Sequence, residues 1–169
     1  MLQDLYGLTP LAFGLVFAVG SVGYGLGSLL SARLTRYYGI DGILGFGGLA
    51  VAVGGLAMVT AVALGLRSAA SLVLPMAVYL AGLGMVLPQS IAGALTPFPQ
   101  RAGAASSLLG FIQQSVAALS GAIVGALLGH SAWPLAAGVA VPGCATLALW
   151  LMTHALRTRA AHPGERADV

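Results

Sequence analysis

Residues 101–129 read RAGAASSLLGFIQQSVAALSGAIVGALLG. After Arg101 the stretch carries no charge, and as a helix rising 1.5 Å per residue it is long enough to cross the roughly 30 Å hydrocarbon core of a bilayer. It reads as a membrane span, and that reading decides the fold class. Yet Gln113 and Gln114 sit side by side in it, and glycines recur at Gly110, Gly121, Gly125 and Gly129. The run Gly121-x-x-x-Gly125-x-x-x-Gly129 stacks missing side chains on one helix face, where small residues allow a second helix to approach closely. At helical spacing Gly110, Gln114, Ala117, Gly121 and Gly125 form one stripe. Bulk at Gly125 is therefore expected to cost more than bulk at Gly138, which lies outside the stripe. An unpaired amide in hydrocarbon is costly, so Gln114 is expected to face protein rather than lipid. Two readings remain for Gln113 and Gln114. One is an interhelical hydrogen bond, worth about 0.6 kcal/mol on average; the other is the lining of a water-filled path.

Composition extends this reading to the whole chain. It is 59% hydrophobic and 7% charged, with a mean hydropathy of +0.97. An ordinary soluble domain is about 25% charged, so this sequence lacks the polar surface to be one. Charges and turn residues separate five apolar blocks, at about 10–32, 42–66, 72–96, 105–129 and 133–154, each long enough for a spanning helix. The expected architecture is an all-α integral membrane protein with five transmembrane helices over residues 1–156 and a disordered cytoplasmic tail at 157–169. The partner this implies first is the lipid bilayer.

Arginine placement gives the orientation. With the N-terminus outside, Arg33, Arg36 and Arg101 fall in cytoplasmic loops, and Arg157, Arg159 and Arg166 follow the last span. Only Arg67 falls outside. The opposite topology reverses the bias, so the C-terminus is expected inside. Asp4 stands where a secretory signal would be positive.

Several chemistries find no residues. Gly45-Phe46-Gly47-Gly48-Leu49-Ala50 matches a dinucleotide-binding pattern, but no acid follows at the distance required and the match lies within a span. His130, His154, His162 and the lone Cys144 have no metal-ligand spacing, and Cys144 reads as a small core residue. All four acids lie in loops or the tail, so no catalytic constellation can be assembled and no enzyme, cofactor or metal is expected. A net charge of +3 split between loops does not point to nucleic acid. In the third block Pro88 breaks the helical hydrogen bonding beside Gln89 and Ser90, a bend or a gate, with Tyr79 earlier in the same block. The first block carries Gly23, Tyr24, Gly25, Gly27 and Ser28, suited to close packing or rocking. Pro142 is a candidate bend in the fifth block.

Residues 2–39, LQDLYGLTPLAFGLVFAVGSVGYGLGSLLSARLTRYYG, resemble the eighth span and following loop of the Bcr/CflA drug-resistance subfamily of the major facilitator superfamily. Ala32, Arg33, Leu34, Arg36 and Gly39 match its loop pattern, and Ser31 replaces the usual Asn. Ala102-Gly103-x-Ala105-Ser106-x-Leu108-x-Gly110-x-x-Gln113 is similar to the eleventh span. The resemblance covers nearly the whole chain in the same segment order. It implies part of a C-terminal six-helix domain, corresponding to spans eight to twelve, of an exporter in a bacterial inner membrane. Such a protein moves drug-like or small amphipathic substrates by alternating access, with proton antiport. Gln113, Gln114, Gln89, Tyr79 and Tyr24 are then candidates for the substrate path. Gly110, Gly121, Gly125, Gly129 and Pro88 are candidates for packing or gating. The missing N-terminal half becomes a candidate partner, and the coupling carboxylates are expected mainly there. The alternative is a non-transporting fragment, or a helix-packing partner of another membrane protein.

Overall fold

A computed structural model describes residues 10–66, 68, 70–127 and 133–161. These form α1 (Pro10–Ala63), α2 (Ala70–Leu95), a 3-10 turn (Pro99–Arg101), α3 (Ala102–Leu127) and α4 (Trp133–Ala161). The segments Phe17–Ala63, Ala70–Leu95, Pro99–Leu127 and Trp133–Leu156 are each long and apolar enough to cross a membrane. Large apolar side chains such as Phe17, Leu29, Phe111, Leu119 and Leu149 lie exposed along them. A water-soluble monomer exposes little contiguous apolar surface, so this is the build of a multi-pass helical membrane protein.

The first correction concerns the loop expected at residues 33–41. The helix continues through it, and Gly39 alone interrupts α1, at φ 67 and ψ 176. Residues 28–38 hold no glycine or proline, and Leu, Ala and Arg favour helix. Arginines at a membrane boundary mark where solvent begins; they do not end a helix. Left-handed backbone costs an L-residue roughly 1–2 kcal/mol, so the break falls on the first glycine available.

Packing register shows that Gly39 reverses the chain. Before the break, Gly23 lies against Ala77, Gly27 against Ala81, and Ser31 meets Met85. Numbers rise together, so the first arm, 10–38, runs parallel to α2. After it, Gly47 lies against Gly82 and Gly54 against Pro75 and Tyr79. The second arm, 40–63, runs antiparallel to α2, and α1 is a helical hairpin. Gly45, Gly48 and Gly55 face Trp150, Leu147 and Ala140 of α4 in the same antiparallel sense.

The second arm is thus the centre of the bundle. Its buried residues, among them Val51, Ala52, Met58 and Ala61, recur every three to four positions and serve two neighbours. Met58 joins Leu72, Ala136 and Val139 in one core cluster, with Tyr79 packed against it. Backbones approach closely: a Cβ added to Gly55 would come within 2.7 Å of the Ala140 Cα, and one on Gly82 within 2.8 Å of the Gly47 carbonyl oxygen. The apparent dinucleotide motif is part of this seam, since Gly45, Gly47 and Gly48 are buried in helix.

The opposite holds for α3, in which no residue is buried. A Cβ at Gly110, Gly121 or Gly125 would meet nothing within 4 Å. Gly138, expected to tolerate bulk, instead has the Val124 side chain against it, 2.8 Å from an added Cβ. Cys144 is exposed rather than in the core. α4 runs past His154 to Ala161, so residues 157–161 of the expected tail are helical.

Candidate functional site

Hydroxyls in these helices mostly satisfy themselves. Ser21, Thr60 and Ser107 each donate to the carbonyl four residues back, which is how a hydroxyl survives in an apolar medium. An amide cannot do this with both its hydrogens, and Gln89 shows the alternative. It is 8% exposed. Its Nε2 donates to Ser31 Oγ at 2.9 Å and to Thr35 Oγ1 at 2.8 Å. Ser31 Oγ in turn donates to the Met85 carbonyl at 3.4 Å, and Thr35 Oγ1 to the Ser31 carbonyl at 2.6 Å. Every hydrogen in the cluster has an acceptor. The cluster joins the first arm of α1 to α2 next to Pro88, and α2 stays one helix across that proline. Sequence reasoning singled out Gln89 but not its partners. Ser31 and Thr35, four apart on one helix face, were the available signal.

Two cavities adjoin at the Gly39 end of the bundle. The larger, about 670 Å³, has Tyr38, Asp41, Gln89, Ser90 and Thr96 in its wall. The smaller, about 300 Å³, has Thr146, Trp150 and Thr153 of α4 in its wall. Both share Asp41, Leu44 and Ser90. Trp150 sets the α4 side: its Nε1 donates to the Asp41 carbonyl oxygen at 2.9 Å. Its ring lies over Gly45, where a Cβ would come within 2.5 Å, and stacks with His154 at 5.1 Å between centroids. Tyr38 meets Phe46 edge-on at 5.6 Å. Neither Asp41 nor Trp150 was among the sequence candidates. A tryptophan and an acid both falling at a predicted membrane boundary was the signal for them.

The other candidates are dispersed. Gln113 and Gln114 are exposed on α3, away from Gln89's cluster. Tyr24 is at the surface, its backbone carbonyl against Gly84, and Tyr79 belongs to the core cluster. Arg33, Arg36 and Arg101 are exposed, with the Arg36 guanidinium 4.6 Å above the Tyr37 ring. Gly129 and His130 lie outside the described residues. Among the described residues no three His, Cys, Asp or Glu side chains group as a metal site would need. The structure therefore brings together one satisfied polar lock and one polar-walled cavity pair, and leaves the α3 amides apart from both. Comparison with family models, with curated proteins and with solved structures finds no match.

Proposed function

We propose that this chain is five spans of the C-terminal domain of a small-molecule exporter of the major facilitator kind, the two arms of α1 being separate crossings. The resemblance of residues 2–39 and 102–113 to the Bcr/CflA subfamily supports this. The observation that carries it is the bareness of α3, which buries no residue while bearing Gln113, Gln114 and a glycine stripe. Lipid gives an amide no hydrogen bond, and small residues gain nothing from facing lipid tails. Both features make sense if a further helical domain lies against α3, with the amides at the polar path between the two. Alternating access is the rocking of two such repeats about a midplane site. In this reading the acid that carries the proton belongs to the other repeat.

The test is reconstitution. The chain alone in proteoliposomes should move no drug. Joined to a seventh span and an N-terminal half from a Bcr/CflA exporter, it should restore proton-driven export. In that chimera Gln113→Ala or Gln114→Ala should change which drugs are exported while leaving the protein level near normal. Loss of protein and of all substrates together would reduce the amides to packing. Proton-dependent efflux by the chain alone would overturn the reading. The bare α3 face also suits a helix-packing partner of another membrane protein; a folded chimera without export, beside co-purification with a different membrane protein, would favour that.

A further inference from the structure

We propose that the two adjoining cavities at the Gly39 end form one site for an organic cation, an ammonium group carried on an apolar body. Hydrogen-bond direction is the main argument. Thr96, Thr146 and Thr153 donate their hydroxyl hydrogens to the carbonyls of Ala92, Pro142 and Leu149, so their oxygens are left as acceptors. Gln89 commits Nε2 to Ser31 and Thr35, leaving its amide oxygen. Trp150 commits its N–H to the Asp41 carbonyl. These threonine, glutamine and tryptophan donors are spent while four acceptor oxygens remain, and the Ser90 and Tyr38 hydroxyls in the same walls can turn to accept, which suits a ligand that donates or is positive.

Charge and shape agree with this. Among the described lining residues the only ionic side chain is Asp41, and no arginine is present. A carboxylate offers about four lone-pair sites, so it can take a cation beside the contacts it already makes. Tyr38 and Trp150 stand in these walls, and aromatic rings attract ammonium groups. The remaining wall, including Leu44 and Leu149, is apolar. Both volumes fall within the roughly 300–1,000 Å³ of small-molecule sites. The site is independent of transport and uses neither Gln113 nor Gln114. Such a cation is either a lipid headgroup entering from the bilayer or a free amphiphile.

The experiment uses the full chain with Trp133→Phe, so that Trp150 is the sole indole, in phosphatidylglycerol nanodiscs at high salt. The probe is N-butylpyridinium, a cation that quenches indole. Saturable quenching is expected, with no saturable response to neutral butylbenzene. Asp41→Asn should weaken binding about tenfold or more. That change spares the Trp150 hydrogen bond, which uses the backbone oxygen. Ser90→Leu fills the wall common to both cavities and should block binding with the charge intact, which keeps the test decisive if Asp41→Asn unfolds the chain. If phosphatidylethanolamine competes with the probe, the occupant is a lipid headgroup; if it does not, the occupant is a free amphiphile. Quenching that never saturates, or that is equal in a folded Asp41→Asn or Ser90→Leu variant, overturns the proposal.

Discussion

At the scale of single residues, Gln89 shows how a polar side chain is made tolerable between helices. Its two donors meet two hydroxyls whose own hydrogens are already placed, Thr35 on the Ser31 carbonyl of its own helix and Ser31 on the Met85 carbonyl across the seam, so nothing in the cluster is left unpaired. Gln89→Leu removes two interhelical bonds but orphans no donor, because Ser31 and Thr35 keep their backbone acceptors. The expected loss is about 1–2 kcal/mol, two bonds at the strength typical of membrane helices, read from unfolding in detergent. A loss several times larger would mean that Gln89 supports more than this pair of helices. The sequence made Gln89 visible because Pro88 precedes it; its partners became visible only once register placed residues 31 and 35 opposite 89. The Gly27 contact is equally local. A methyl there would overlap the Ala81 carbonyl oxygen, whereas one at Gly25 meets nothing. Gly27→Ala should cost about 1–3 kcal/mol by overpacking, and Gly25→Ala should be near neutral in the same detergent assay. Equal effects would place the α1–α2 seam elsewhere.

At the scale of elements, the limits of α2 and α3 were legible within a few residues. Arg67 and the Thr96-Pro97-Phe98-Pro99 break bracket one, and Arg101 opens the other. The join between the first two blocks was not legible, because charge was taken as a loop signal and helix propensity through residues 33–38 opposes that. Glycine spacing was only half informative. At Gly110, Gly121 and Gly125 the regular stripe of α3 meets none of the described residues, while the irregular set Gly47, Gly48, Gly54 and Gly55 lies in the core because it serves two neighbours at once. A small-residue face says that something can come close, not what does. Gly125→Leu should therefore leave the stability of the isolated chain within about 0.5 kcal/mol, as for a surface site. The same substitution should reduce folded yield of the chimeric exporter, where the stripe is covered. A large loss in the isolated chain would show that α3 packs against its own bundle.

At the scale of the molecule, the hairpin explains why the arginines cluster. The first arm and α2 run parallel, so Tyr38 and Gly39 meet Thr96 in one cavity wall. Arg33 and Arg36 at the end of one element, and Arg101 just beyond the other, therefore share one end of the bundle. α4 brings Trp150 and Thr153 to that end as well. Two chain reversals, at Gly39 and at residues 96–101, and the end of α4 thus gather at one end of the bundle. If positive loops are retained on the cytoplasmic side, this asymmetry has an expected direction, with the Gly39 end inside and the α1–α2 turn outside. Single cysteines at Ser68 and at Thr158, with Cys144→Ser because Cys144 is exposed, test it on intact cells with an impermeant thiol reagent. Ser68→Cys should label, and Thr158→Cys should label only after the membrane is opened. The reverse pattern would invert the topology and remove the alignment with an exporter's C-terminal domain, since the helix end that carries Arg33 and Arg36 would then face out. Labelling of both sites would place the two ends of this bundle on the same side, which the antiparallel register of the second arm and α4 does not allow.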